Sequence, residues 1–493
     1  MKWAVYNLLF AAVYPFLLPG FILRMLRRGG YAARMGDRFA LYPEGLFGQG
    51  RALFDSHKDF RRKTGDFVWI HAVSVGEVQV AGQLMREWRT VEPDVRFCFS
   101  TTSSTGWKIA EKELKDLNSQ PQPSTSTSDV LIYNPLDFPN FVKSALRTVR
   151  PRAIVLTESE IWPNFILQAK KMGIPLFLIN ARVSDRSAPR YKAAKWFFGE
   201  VLSSFTRIFA QSDLDKARLV AAGAPEAKVE VTGSFKFDVA RRNEAKEKEL
   251  REWVLGPDRV GVGSDKASGA AKDPNQTLNV PKILLGGSTW PGEDEVLLNI
   301  YKKFLSSSLI PHPSSLVLVL APRHFEKADA VEANIRKAGF ACIRRSRGDK
   351  VKVRGEGEQG SCESAVHLES SPSPKVFLAD TTGELMGLYG IADVVFVGKS
   401  LCAHGSQNMI EPCLCGKPTL VGPYTENFRP VMSDLLASDA IIQVKDAEEL
   451  EEKVRECLEG LGGLEGLGAR AKAAVQRRLG VVAKCVTEIR GAL

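Results

Sequence analysis

Histidine and cysteine are scarce in this chain, six and eight in 493 residues. The cysteines (Cys98, Cys342, Cys362, Cys402, Cys413, Cys415, Cys457 and Cys485) contain no CxxC pair. Cys413-Leu-Cys415 has neither a second pair nor a nearby His cluster to complete a zinc site. The spacing reads as reduced thiols in a cytosolic domain and predicts no metal and no disulfide framework. Charge of one sign is also missing from most of the chain. The formal net charge is +10, but residues 1–63 hold 11 Lys/Arg against 4 acids, a net +7, which leaves about +3 for the other 430 residues. A nucleic-acid-binding domain carries its basic charge on the folded body. Here the body is nearly neutral, so no nucleic-acid partner is expected, and the N-terminal excess suits a membrane surface or an anionic substrate. The hydrophobic content of 44% excludes wholesale disorder, and at ~150 residues per domain the length suggests two or three domains.

One long uncharged run is present, the 21 residues from Trp3 to Leu23. As a helix rising ~1.5 Å per residue it would reach ~32 Å, close to the ~30 Å hydrocarbon core of a bilayer. Lys2 precedes it; Arg24, Arg27, Arg28 and Arg34 follow, placing the C-terminal side in the cytoplasm by the positive-inside rule. A cleaved signal peptide fits poorly, because a positive n-region and a small-x-small cleavage site are lacking. Residues 1–30 are therefore expected to be a membrane anchor, a spanning helix being favoured and a helix lying in the interface being the alternative.

From Phe67 onward short apolar runs alternate with helical stretches. Buried parallel strands are predicted at Phe67–Ala72, Val95–Ser100, Asp129–Tyr133, Ala153–Leu156, Leu176–Ile179, Arg207–Ala210 and Val229–Val231. A second series follows at Lys282–Gly286, Leu316–Leu320, Ala341–Arg344, Val376–Leu378, Val394–Val397, Thr419–Val421 and Ile441–Val444. The fold class is α/β, with two Rossmann-like doubly wound domains facing a cleft. The expected division is 31–245 for the first domain, 246–281 for a linker, 282–468 for the second domain and 469–493 for a C-terminal helix. Polar or glycine-rich insertions are read at 118–128, 256–280 and 347–374.

The chemistry-bearing residues cluster after strands. His71-Ala-Val-Ser-Val-Gly-Glu77 leaves a strand and opens a helix, with Gly76 read as the tight turn and Glu77 in the first helical turn, where exposed N–H groups favour a carboxylate. Glu77 is a candidate general base or a helix-start cap, and His71 a rival base or a structural group. Thr157-Glu158-Ser159-Glu160-Ile-Trp-Pro-Asn164 crowds two carboxylates, an indole and an amide into one turn. Arg182, Arg186 and Lys236 follow consecutive strands and suit an anionic substrate, although Arg186 fits a salt-bridged rim better. In the second half Gly286-Gly-Ser-Thr-Trp-Pro-Gly-Glu293 is a glycine-rich turn able to cradle a phosphate, although it matches neither the Walker nor the GxGxxG pattern. Ala321-Pro-Arg-His324, Asp380-Thr-Thr-Gly-Glu-Leu385, Gly398-Lys-Ser400 and Gly405-Ser-Gln-Asn-Met-Ile-Glu-Pro412 also end strands and together outline a nucleotide pocket. Asp213-Leu-Asp215 fits a metal-binding DxD but reads better as a helix cap.

This ordered set resembles the 3-deoxy-D-manno-octulosonic acid (Kdo) transferases, glycosyltransferases of lipopolysaccharide core synthesis. The likeness runs through HAVSVGE, TESEIWPN, NARVSDRS, TGSFKFD, GSTWPGE, APRH, DTTGELMGLYGIADVVFVGKSL and NMIEP. It implies a two-domain GT-B fold, with an acceptor domain followed by a donor domain. It also implies an inverting transfer of Kdo from CMP-Kdo to a hydroxyl of a lipid A precursor, without a metal cofactor, at the cytoplasmic face of the inner membrane. The positions matching the family's catalytic residues are Glu77 as base, with Glu158 and Lys236 stabilising the transition state. Those matching its donor contacts are Pro322, Arg323, Thr382, Gly383, Glu384, Asn408, Met409, Ile410 and Glu411; Arg182, Lys399 and Ser400 are further anion contacts. The family's GGS stands here as Gly398-Lys399-Ser400 and its GGHN as Gly405-Ser406-Gln407-Asn408. The alternatives are another nucleotide sugar on a lipid acceptor, or an inactive nucleotide-binding membrane scaffold.

Overall fold

A computed structural model of the chain describes residues 32–47, 65, 67–119, 129–239, 243–256, 280–306, 315–348 and 375–493, with scattered positions among 3–20. It divides into two compact units, Met1–Val239 together with Gly480–Leu493, and Ala240–Leu479. Most of the predicted insertions, at 120–128, 257–279 and 349–374, lie outside the described residues.

Unit 1 is built on a seven-stranded sheet in the order β3-β2-β1-β4-β5-β6-β7. The strands are β1 (Phe67–His71), β2 (Arg96–Thr101), β3 (Val130–Tyr133), β4 (Ala153–Thr157), β5 (Leu176–Ala181), β6 (Arg207–Ala210) and β7 (Val229–Val231), all paired in parallel. Side chains alternate across a strand, and here both faces are covered. Phe67 and Trp69 enter one core with Phe165 and Leu176, while Val68 and Ile70 enter the other with Trp88 and Phe97. That double burial is why the strands read as unbroken apolar runs rather than alternating ones.

The helix Val481–Gly491 completes the second of these cores with Val481, Val482, Cys485, Val486 and Ile489. Its first turn is capped by Asp238, whose carboxylate accepts from Gly480 N and Val482 N, both at 2.8 Å. The single C-terminal helix expected over 469–493 is therefore two helices. Leu467–Gln476 stays in unit 2, and Val481–Gly491 returns to unit 1 after Gly480 takes a φ of +84°.

Unit 2 repeats the plan in the order β10-β11-β9-β8-β12-β13-β14. Its strands are β8 (Lys282–Thr289), β9 (Leu316–Pro322), β10 (Ala341–Arg344), β11 (Lys375–Leu378), β12 (Val394–Val397), β13 (Thr419–Val421) and β14 (Ile442–Gln443). The expected linker does not begin at 246. Residues Glu244–Leu255 form a helix that buries Leu250, Trp253, Val254 and Leu255 within unit 2. Its dense Glu/Lys content hides a short apolar face, and Gly387 leaves the room that Leu250 needs.

The glycine-rich turn at Gly286–Glu293 is also reassigned. Gly286 and Gly287 lie inside β8, where a Cβ would meet Leu297 at 2.5 Å and Tyr389 at 2.6 Å. These two glycines serve close packing of side chains on the strand. Among the described residues no helix is long and apolar enough to cross a membrane; the expected anchor, 1–30, lies mostly outside the described residues.

Candidate active site

In an open α/β sheet, ligands bind beyond the carboxyl ends of the strands where the strand order reverses. In unit 1 that point lies between β1 and β4, the strands that end in His71 and Thr157. After β1 the chain turns through Ala72 and Val73 to Ser74, the N-cap of helix Val75–Val91. Gly76, expected to make the turn, lies inside the helix with nothing within 4 Å of an added Cβ; the extended backbone of the Ser74 cap redirects the chain instead.

Glu77 reaches back into this turn. Its Oε1 accepts from Ser74 Oγ at 2.8 Å, and its Oε2 accepts from Val73 N at 3.0 Å and Thr157 Oγ1 at 3.1 Å. Ser74 Oγ in turn accepts from Glu77 N at 3.3 Å, a reciprocal cap of the kind that holds a carboxylate still. Glu77 is thus a helix cap and, through Thr157, a link to the end of β4.

Glu158 follows directly, in a left-handed backbone (φ 49°) rare for a residue with a Cβ. Its carboxylate accepts from Asn180 Nδ2 at 3.2 Å. Asn180 is fully buried, also left-handed (φ 51°), and its Oδ1 accepts from Phe235 N at 3.1 Å. One amide therefore ties the loop after β4 to the segment carrying Lys236. Burial pushes Glu158 above the ordinary carboxylate range and neighbouring Glu77 adds to this, against Arg182, Lys236 and the Asn180 bond. Lys236 is lowered, chiefly by burial and also by Arg182, with Glu158 opposing. The structure so brings Glu77, Glu158, Arg182 and Lys236 into one electrostatic cluster.

Glu160, the second carboxylate of the crowded turn, also belongs to it, as do Thr157 and Asn180, whose own roles the sequence did not mark. The preference of Asn for left-handed backbone was the available signal for Asn180. Glu160 accepts from Trp162 Nε1 at 2.9 Å, and burial, then the Glu77 charge, raises it to about 7. His71, the rival base, is fully buried. Its Nδ1 lies 2.9 Å from Ser100 Oγ, its Nε2 3.8 Å from Glu160, and burial lowers it to about 3, so it is a neutral imidazole at physiological pH. Asp215 of the DxD sequence accepts from Val183 N at 2.9 Å and Ser212 Oγ at 2.5 Å, the cap expected there.

In unit 2 the order reverses between β8 and β12. Helix Glu293–Ser306 begins beyond β8, and Glu293 is fully buried. Its carboxylate accepts from five backbone N–H groups: Trp290 at 2.8 Å, Lys399 at 2.7 Å, Ser400 and Leu401 at 3.0 Å, and Cys402 at 3.4 Å. A concavity of backbone donors that would suit an anion is thus filled by the protein's own carboxylate. Gly398 is required for this fit, since a Cβ there would stand 2.4 Å from Ser288 O.

Ser400, expected as an anion contact, is fully buried; its Oγ donates to Val397 O at 2.5 Å and accepts from Gly422 N at 2.9 Å. Lys399 places its Nζ 5.0 Å from the Trp290 ring centroid. Arg323 is exposed and Pro322 half-buried at the end of β9. Burial raises Glu411, while Asn408, donating at 3.0 Å, and the charge of Arg323 oppose it, so these three form a second cluster. The side chains of Met409 and Ile410 are wholly in the core, which leaves only their backbone for a ligand. Thr382 and Gly383 are exposed. Beside them Glu384 is bound by Lys246 at 2.7 Å, Arg345 at 3.0 Å and Thr381; burial alone would raise it, but these partners hold it well below the usual range. Among the described residues no group of three or more His, Cys, Asp or Glu is placed to hold a metal ion.

Known proteins resemble this chain in sequence and fold. The family model for 3-Deoxy-D-manno-octulosonic-acid transferase (kdotransferase) matches residues 33–239. A 3-deoxy-D-manno-octulosonic acid transferase of Bordetella pertussis is 32% identical over 434 residues, 87% of this chain and 86% of that protein. One from Haemophilus influenzae is 28% identical over 465 residues, 94% of this chain and 92% of that protein. For the fold, the UDP complex of Anabaena HepE superposes with a TM-score of 0.50 at 11% identity, covering 87% of this chain and 100% of that one. With the motifs in order, the two doubly wound units and this likeness over most of the length, the chain belongs to the 3-deoxy-D-manno-octulosonic acid transferase family of glycosyltransferases.

Proposed function

We propose that the protein moves Kdo from CMP-Kdo to a hydroxyl of a lipid A precursor, with inversion and with Glu77 as general base. The observation that carries this reading is the Glu77 carboxylate, fastened by Val73, Ser74 and Thr157 at the strand-order reversal of unit 1 beside Glu158, Arg182 and Lys236. In the step proposed, Glu77 takes the proton of the acceptor hydroxyl as its oxygen bonds to the anomeric carbon of Kdo. The bond from that carbon to the phosphate oxygen breaks, and CMP leaves with the electron pair. Lys236 and Arg182 offer positive charge to developing phosphate charge, and half-buried Glu158 faces the cationic character of the sugar. One base without a separate nucleophile suits inversion.

Unit 2 supplies the donor contacts in this reading: Arg323, Asn408 and Glu411, the backbone of Met409 and Ile410, and the segments of Pro322 and Thr382–Glu384. The positive charge required comes from side chains, so the reading calls for no metal. The uncharged Trp3–Leu23 run and the arginines after it support attachment to the cytoplasmic face of the inner membrane.

The test is incubation with CMP-Kdo and a lipid A precursor, followed by mass spectrometry of the lipid. Lipid heavier by whole Kdo residues, with CMP released, is the expected outcome. If a competent acceptor gives no CMP release while a different nucleotide sugar is consumed, the donor assignment is wrong.

A further inference from the structure

The N-terminal segment is docked on unit 1. Its described positions among 3–20 are helical, and Trp3, Tyr6, Asn7 and Phe10 recur at the spacing of one helix face. Trp3 Nε1 donates to Glu200 at 2.8 Å, Tyr6 OH donates to Asp137 at 3.2 Å, and Asn164 Nδ2 donates to Asn7 Oδ1 at 2.8 Å. The rings of Trp3 and Tyr6 lie 5.1 and 5.3 Å from that of Phe197, and Phe10 lies 5.0 Å from Phe138.

The opposite face, Leu8, Ala12 and Phe16, is exposed, at 72% for Leu8 and 85% for Phe16. The helix that receives Trp3, Lys195–Leu202, also carries Trp196, 63% exposed. Arg190, Lys192 and Lys195 are exposed along it and along the preceding helix Ala188–Ala193. Apolar side chains, an exposed indole and a row of cations are the components of a surface that meets anionic lipid.

Docking limits what this segment can do. With Trp3 through Phe10 held on the domain, 13 uncharged residues remain before Arg24. As a helix they reach ~20 Å, well short of the ~30 Å hydrocarbon core. We infer that the N-terminal helix lies along unit 1 in the plane of an anionic bilayer, with Leu8, Ala12 and Phe16 at the acyl boundary and Arg190, Lys192 and Lys195 around Trp196 on lipid phosphates, and does not cross the bilayer. The inference rests on the membrane attachment proposed above and decides its geometry. It also ties lipid to chemistry, because Asn164, which holds Asn7, opens the helix that directly follows the Glu158–Trp162 loop.

The test uses the full chain and two readouts. In the first, sedimentation is measured with vesicles of phosphatidylcholine alone or mixed with phosphatidylglycerol. The wild type is expected to sediment with the anionic vesicles. The double variant Lys192→Glu/Lys195→Glu is expected to bind them at least ~10-fold more weakly, at ~1 kcal/mol per basic residue near the surface, with its circular dichroism and its transfer to detergent-dispersed acceptor retained. Unchanged binding by the folded double variant would remove the Lys192–Trp196 surface from the site. In the second readout, Lys2→Cys is treated with a membrane-impermeant maleimide added on the side of the catalytic units. Labelling above that of the parent chain is expected; protection relieved only by detergent means a span and overturns the in-plane geometry while leaving attachment intact. A wild type that sediments with neither vesicle but still transfers Kdo in detergent overturns the attachment itself and leaves the enzymatic reading standing.

Discussion

Glu77 in unit 1 and Glu293 in unit 2 occupy the same place in two copies of one plan. Each follows the first strand of its sheet, each is preceded by glycine (Val75-Gly-Glu77, Pro291-Gly-Glu293), and each turns its carboxylate back toward the strand-order reversal. Their surroundings differ. Glu293 is 0% exposed and takes all its bonds from backbone N–H groups, which no substrate displaces without dismantling the loop. Glu77 is 8% exposed and takes one backbone N–H; the other two donors are the hydroxyls of Ser74 and Thr157. Hydroxyl donors rotate and also accept, whereas backbone N–H groups do neither. Where the backbone closes over a helix-start glutamate it is structural; where side chains hold it, as at Glu77, the function proposed above has a base to use.

The comparison breaks most visibly if Glu293→Ala is tolerated. Removing the carboxylate leaves five backbone donors, that of buried Ser400 among them, without their acceptor, and a loss of about 3–5 kcal/mol is expected, read as a lowered denaturant midpoint for unit 2. Glu77→Ala is expected to do the reverse. Kdo transfer should fall at least ~10²-fold, the scale for a lost general base, with CMP-Kdo binding retained in calorimetry; full activity in this variant would make Glu77 a cap like its counterpart.

The smallest effect sharpens the comparison through Glu160, the raised acid that shares the surroundings of Glu77. Between its ordinary 4.5 and its folded value of about 7, the folded chain keeps a proton that the unfolded chain has released. Stability from this group therefore falls as pH rises through that window. Glu160→Gln abolishes that fall, so the advantage of the variant over wild type should grow by about 2 kcal/mol from pH 4.5 to 7, allowing for the group's residual exposure. A constant difference in urea denaturation across the window would show that Glu160 does not titrate there.

All fourteen predicted strands are present in order, because sheets covered on both faces demand continuous apolar runs and sequence displays these directly. The roles of glycines were not legible in the same way. Gly286 and Gly287 look like a phosphate loop, yet their function depends on Leu297 and Tyr389, 11 and 102 residues away from them in sequence. Helix Glu244–Leu255 was obscured for a related reason, since its charges outnumber an apolar face that packs against residues far along the chain, Phe377 and Gly387 among them. Glu77, Glu158 and Lys236 stand out in sequence by their place after strands, with roles implied by resemblance, but the amide of Asn180 that joins two of their loops is a contact across strands that no local pattern announces. The burial of Ser400 and the occupation of its loop by Glu293 were equally out of sight, because a nest of N–H groups reads alike whether its anion is a ligand or a side chain.

The return of Val481–Gly491 to unit 1 makes unit 2 an insertion within unit 1's fold. A ribosome delivers the seven strands of the first sheet early, yet the apolar surface around Trp88 and Phe97 waits for Val482, Cys485, Val486 and Ile489, which arrive more than 250 residues after β7. Until then that face of the first sheet lacks its cover, and a product cut short before residue 481 never gains it.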